Sequence, residues 1–135
     1  MITEGFVNLE IGKLLKEKGF DEFCFCINYP LPDGSPHSII VPNLISNSML
    51  PSVNEFRFCK YKEDLITIPT LQMTMEWLRK IHKIDITIDP HEVCGEWIYQ
   101  FHLCKNRKYL FSRDIDMSYK NCTMAAIKYC LENLI

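Results

Sequence analysis

Thr70-Leu71-Gln72-Met73-Thr74-Met75-Glu76-Trp77-Leu78-Arg79-Lys80-Ile81-His82, followed at once by Lys83-Ile84-Asp85-Ile86-Thr87-Ile88-Asp89-Pro90, decides the fold class. In the first part Leu71, Met75, Trp77, Leu78 and Ile81 gather on one side of a helical wheel, with Gln72, Glu76, Arg79 and Lys80 opposite. Pro69 and Thr70 stand where such a helix begins. In the second part the period drops to two: Ile84, Ile86 and Ile88 alternate with Asp85, Thr87 and Asp89, and Pro90 stops the run. An amphipathic helix running straight into a half-buried strand is the mark of a helix laid on a sheet.

Downstream, Gly95 to Cys104 reads as a long strand with Trp97, Tyr99, Phe101 and Leu103 on one face. Lys105-Asn106-Arg107-Lys108 is turn-like, and Tyr109 to Ser112 returns as a strand. These connections are too short for parallel crossovers, so the three strands form an antiparallel meander. Ser118 caps a last helix whose apolar face holds Met124, Ala126, Ile127, Cys130, Leu131 and Leu134.

Upstream, Asn8 caps a first helix ending at Lys18-Gly19, with Val7, Ile11, Leu14 and Leu15 on one face. Phe23 to Tyr29 is a strand that puts Phe23, Phe25 and Ile27 on one side and Cys24 and Cys26 on the other. Pro30, Pro32, Asp33, Gly34 and Pro36 form a turn cluster. Pro42, Asn43, Asn47, Pro51 and Asn54 then suggest irregular backbone, although Ser38 to Val41 has strand character; Glu55 to Tyr61 alternates again. The expected fold is α+β: an antiparallel sheet of about five strands with three amphipathic helices, in the order α-β-(β)-β-α-β-β-β-α. Residues 1–135 read as a single domain with a long irregular loop at about 30–54. The helix ends Leu14 to Phe20 and Trp77 to Ile84 look alike, which raises a helix-into-hairpin unit used twice.

With 47% hydrophobic, 24% charged and 12% aromatic residues in 135, the chain has the make-up of a globular domain with a core of its own. A net charge of -2 gives no general attraction to nucleic acid or to an anionic membrane. The N-terminus lacks a basic segment followed by an apolar run, and no stretch approaches about 18 apolar residues. Seven cysteines, an odd number at irregular spacings, then read as reduced thiols filling a core, and the expected location is cytoplasmic.

Three blocks resemble a known family. Lys13-Leu14-Leu15-Lys16-Glu17-Lys18-Gly19-Phe20-Asp21 is similar to the opening of a family of small proteins of anaerobic gut bacteria, often found in prophage and other mobile-element neighbourhoods. Pro69 to Gln72 with Trp77 to Ile84 resembles its central helix, and Ser118-Tyr119, Ala125-Ala126 and Leu131 to Ile135 its terminal helix. The resemblance implies an accessory protein of bacterial cytosol, derived from a phage or mobile element. It implies no activity, and no site residue carries over.

Among candidate chemistries, His91, Cys94, His102 and Cys104 have the donor types that zinc takes. Their spacing lacks the paired C-x2-C pattern, so neither a metal nor any other cofactor is expected. Cys24, Cys26 and Cys59 could gather into a thiol cluster, but packed core thiols are the favoured reading, since nothing basic sits beside Cys24 and Cys26 in sequence to activate a thiol. There is no nucleophile elbow and no Gly-rich phosphate loop, so no catalytic residue is named and no enzyme is expected. His82, at a helix C-terminus, is expected to be held in its charged form by the helix dipole. Lys105, Arg107, Lys108 and Arg113, beside Tyr99, Phe101, Tyr109 and Phe111, form a candidate nucleic-acid contact, which the net charge does not favour. The reading that remains is a non-enzymatic accessory protein with an unknown protein partner, engaged through the 37–54 loop or an uncovered strand edge. Nucleic-acid binding by the 105–113 hairpin is the alternative, and a small enzyme or zinc-binding domain the second.

Overall fold

A computed structural model describes residues 5–31, 33–52, 65–115 and 118–135. Backbone contacts divide the chain into two compact units, Phe6–Thr70 and Leu71–Ile135 together with Gly5. The class is α+β with antiparallel pairing throughout, as expected. The described strands fall into two sheets of three instead of a single sheet of five.

In the first unit, α1 (Leu9–Glu17) starts where Asn8 Oδ1 accepts the Ile11 N–H at 2.9 Å, and gives way to Gly19 at φ +88°. Its buried residues are Ile11, Gly12 and Leu15. Gly12 lets the helix sit directly on the sheet, because a Cβ there would lie 2.8 Å from Ile68 Cδ1. The sheet order is β2-β1-β3, from β1 (Cys24–Pro30), β2 (Pro36–Ile45) and β3 (Ile66–Ile68).

The expected loop at 30–54 is corrected here: Pro36–Ile45 is strand β2, and a short 3-10 helix follows at Asn47–Ser52. Pro42 and Asn43 misled the reading because they fall in an irregularity of the ladder. Between the pairs Cys26↔Ile40 and Cys24↔Ile45, Phe25 alone stands against residues 41–44. The turn cluster does form a turn, in which Ser35 donates twice to Asp33 Oδ1 and holds that carboxyl below its ordinary range. Asn47 ties the unit together, donating to the Phe20 carbonyl and accepting the Thr67 N–H. The strand read at Glu55 to Tyr61 lies outside the described residues. Ile27, Tyr29, Val41, Ile45 and Leu65 make one core cluster, whereas Phe23 and Phe25 are each 51% exposed.

The second unit runs α2 (Leu71–His82), β4 (Ile84–Val93), β5 (Glu96–Lys105), β6 (Lys108–Ile115) and α3 (Tyr119–Asn133), with the meander order β4-β5-β6. Leu71, Met75, Trp77 and Leu78 of α2 and Cys122, Ala126, Ile127, Cys130 and Leu131 of α3 are buried, as are Ile84, Ile86, Phe101 and Leu103 of the sheet. Ile81, read as part of the apolar face, is instead 59% exposed in the last turn of α2. The suggested repeat does not extend beyond the helix ends. The strand after the helix is central in one sheet (β1) and outermost in the other (β4).

Candidate functional site

The second unit brings its chemistry-bearing residues to one end and one face of its sheet. Two tight turns build the end. Asn106 and Arg107 join β5 to β6 with φ +53° and +64°, the left-handed values that a two-residue hairpin turn needs at both central positions. Lys83 joins α2 to β4 at φ +58°, the position after a helix where glycine is the usual occupant. The Asn106 N–H donates to the Lys83 carbonyl at 2.9 Å and clamps one turn to the other. Between them lies an open cleft of about 540 Å³ lined by Arg79, Lys83, Asp85, Asn106 and Arg107. Arg79 Nε donates to Asp85 Oδ1 at 2.9 Å, and Lys83 Nζ donates to the Lys80 carbonyl at 2.9 Å. Three cations against one carboxylate leave the cleft locally positive despite the overall charge of -2.

Of the four residues read as a nucleic-acid contact, only Arg107 lines this cleft. Lys105 is half-buried and its Nζ donates to the Leu134 carbonyl at 2.8 Å, so it ties the hairpin to the end of α3. Lys108 and Arg113 are exposed along β6, outside the cleft lining. Of the four aromatics, Phe101 is buried and Tyr99 and Phe111 are half-buried; Tyr109, 64% exposed, is the open one. Arg79 and Lys83 were missed, because the wheel assigns Arg79 only to the solvent side of the helix and Lys83 falls between the helix and the strand that follows.

On the sheet face opposite Phe101 and Leu103, a chain of polar side chains crosses all three strands. Asp89 Oδ2 of β4 lies 3.1 Å from His102 Nε2 of β5. His102 Nδ1 lies 2.6 Å from Ser112 Oγ of β6, and the Tyr109 hydroxyl donates to the same Ser112 Oγ at 2.7 Å. A register shift places Ser112 there: Cys104 pairs with Tyr109 but Leu103 with Phe111, so Leu110 is the extra residue.

The zinc candidates are not brought together. His91 pairs with Ile98 and His102 with Thr87, four residues apart along β5 or roughly 13 Å. Cys94 sits exposed in the β4–β5 turn, and Cys104 lies one step beyond His102 on the same face. Among the described residues, no group of three or more His, Cys, Asp or Glu is placed to hold a metal ion.

Four of the six described cysteines are buried; Cys104 is half-buried and the exposed Cys94 departs from the core reading. Burial pushes the Cys24 and Cys130 thiols up to about 12 and raises those of Cys26 and Cys122, which keeps all four protonated and poor nucleophiles. The Thr67 hydroxyl tempers the rise at Cys24, although its Oγ1 meets no partner at hydrogen-bond geometry. Cys59 lies outside the described residues. His82 is corrected in sign: burial first, then the nearby Lys105 charge, lower its pKa and favour the neutral ring. It packs edge-on to Trp77 at 4.6 Å.

No helix among the described residues is long and apolar enough to cross a membrane. No family model, curated protein or solved structure matches this chain.

Proposed function

We propose that this chain is a small binding protein that holds a phosphate-bearing ligand, in the first instance a nucleic-acid strand, at the cleft of Arg79, Lys83 and Arg107. One observation carries the reading. Lys83 and Arg107 occupy left-handed backbone positions where glycine is the unstrained choice, and both line the same cleft. An L-residue in that conformation costs roughly 1–2 kcal/mol, and such strain tends to persist where function requires the side chain. Guanidinium groups match phosphate oxygens in pairs, and the Lys83 ammonium adds a point charge. The exposed Tyr109 ring, two residues from Arg107, offers a stacking surface for a base.

Fluorescence anisotropy with a labelled single-stranded oligonucleotide at low salt tests this. Three cations predict a slope of log K against log salt of about −2, from roughly −0.7 per phosphate contact. No binding at about 100 μM protein, the weak end of non-specific affinities, would refute it.

A second reading, contact with a protein partner, is favoured by the β4–β5 ribbon. Trp97 is 70% exposed there and Val93 39%, close to the Cys94-Gly95 turn. Exposed tryptophan is a frequent anchor of protein interfaces. Crosslinking in a bacterial lysate should then capture a partner that is lost with Trp97→Ser and kept with Lys83→Ala.

A further inference from the structure

The polar chain on the open face of the second unit goes beyond ligand holding. We infer that Ser112 is a hydroxyl nucleophile toward activated acyl and phosphonyl groups, with His102 as its general base and Asp89 as the positioning carboxylate. The bonding polarity is fixed by donor arithmetic. An ionised Asp89 can only accept, so the neutral His102 ring carries its proton on Nε2. Nδ1 is then the acceptor facing Ser112 Oγ at 2.6 Å, and the Ser112 O–H points into it. The Tyr109 O–H fills a remaining lone pair of Ser112 Oγ at 2.7 Å. Every proton in the chain therefore has one acceptor, and the order carboxylate, imidazole, hydroxyl is that of an acyl-transfer triad with the two ring nitrogens exchanged.

Three features argue that the order is usable. The register shift at Leu110 is what sets Ser112 beside His102, and such irregularities often re-aim side chains at sites. Ser112 and His102 are half-buried, which holds their geometry without closing it to a reagent. Tyr109 donates its hydroxyl proton to the attacking oxygen itself, which fixes Ser112 Oγ beside His102.

With a carboxylic ester, Ser112 Oγ bonds to the carbonyl carbon while its proton passes to His102 Nδ1, and Asp89 stabilises the imidazolium. The bond from that carbon to the leaving oxygen then breaks, and His102 returns the proton to the departing alcohol. Water releases the acyl group by the same route: it adds to the carbon as its proton moves to Nδ1, and Ser112 leaves by taking that proton back. The balance is ester plus water to acid plus alcohol, with no co-reactant. A fluorophosphonate stops at the first stage, with an oxygen–phosphorus bond formed, fluoride expelled and the proton left on His102.

The test uses the folded chain with its accessible thiols blocked by iodoacetamide, so that acylation of those cysteines does not contribute. Treatment with a fluorophosphonate and peptide mass spectrometry should place the adduct on Ser112, and p-nitrophenyl acetate should be turned over. General-base catalysis contributes about 10²–10⁴-fold. At this open site the lower end applies, so Ser112→Ala and His102→Gln should each lower both rates about 100-fold. Asp89→Asn should lower them about tenfold and move the pH profile of the reaction. Ser112→Thr, which keeps the hydroxyl, separates loss of chemistry from loss of fold by retaining part of the labelling. An adduct elsewhere, no adduct, or equal labelling of parent and His102→Gln overturns the assignment, whatever the outcome of the nucleic-acid titration.

Discussion

Replacing Lys83 and Arg107 by glycine should make the protein more stable and a poorer binder at once. At φ +58° and +64°, each side chain sits in a backbone region that costs an L-residue roughly 1–2 kcal/mol and glycine almost nothing. Glycine gives back about 0.5–1 kcal/mol through the greater freedom of its unfolded chain. For Lys83, loss of the exposed hydrogen bond to the Lys80 carbonyl subtracts about 0.5 kcal/mol at most. The net expectation is a gain of roughly 0.5–1 kcal/mol for Arg107 and about 0–0.5 kcal/mol for Lys83, or about 0.5–1.5 kcal/mol together, from the balance of strain, chain entropy and the lost hydrogen bond. For a chain of this size, 1 kcal/mol moves Tm by about 3–4 °C, which thermal unfolding followed by circular dichroism resolves.

The alanine variants separate strain from charge. Lys83→Ala and Arg107→Ala lose the cation but keep a Cβ in the left-handed region, so they should bind as weakly as the glycine variants without the gain in Tm. In the oligonucleotide titration the double variant, Lys83→Gly with Arg107→Gly, should lose at least about tenfold in affinity, and its salt slope should flatten by about 1.4 units. Glycine variants no more stable than their alanine counterparts would remove the strain argument. Stabilised variants that bind as tightly as the parent would show that the strain serves something other than this cleft.

Further outcomes follow from the packing. Gly12→Ala, normally favourable in a helix by about 0.5–1 kcal/mol, should instead destabilise the first unit by about 1 kcal/mol, since overpacking costs about 1–3 kcal/mol and the new Cβ meets Ile68 Cδ1 at 2.8 Å and Ile66 Cγ2 at 3.2 Å; denaturant titration measures it. Iodoacetamide should modify exposed Cys94 first, while Cys24 and Cys130, held protonated near 12, react only on unfolding, as timed mass spectrometry would record. For His82 the folded pKa lies below the ordinary 6.5, so the unfolded chain binds more protons between the two values. Its contribution to stability is therefore present above about 6.5 and lost as pH falls through that window. His82→Gln should flatten that part of the stability profile, and an unchanged slope would refute the assignment.

How far the sequence could be read depended on whether one local period ran undisturbed. α2 and β4 were legible because Leu71 to Leu78 and Ile84 to Ile88 each keep a single period from end to end. β2 was not, because the four residues 41–44 facing Phe25 break the alternation, and Pro42 inside them reads as a terminator. Among the described strands β2 is an outer one, and there a proline sitting in an irregularity removes no ladder bond to β1. β1 shows the same limit in another form. Cys24, Phe25 and Cys26 alternate as read, but which face is covered depends on the neighbouring strands: the two thiols are buried while Phe23 and Phe25 are open, and Ile27, read on the side of the two phenylalanines, is buried.

The candidate site was hidden by register more than by residue type. Its residues lie in, or directly beside, elements that the sequence had located, yet no local pattern says that Lys83 meets Asn106 or that Ser112 meets His102. One signal was present. Placing a two-residue turn at Cys94-Gly95, where glycine suits the second left-handed position, fixes the β4–β5 ladder by counting outward. That count sets Ile84 opposite Lys105 and brings Lys83 to the side of Asn106, which completes the cleft on paper. It does not reach Ser112. Counting back from the Asn106-Arg107 turn sets His102 opposite Phe111, and only the extra residue at Leu110 moves Ser112 into that place. Nothing in Tyr109-Leu110-Phe111-Ser112 announces such a slip, since all four residues suit a regular strand. The cleft is thus deducible from turn chemistry, whereas the hydroxyl–imidazole contact depends on the slipped ladder, in which Phe111 packs against Phe101 and Tyr129.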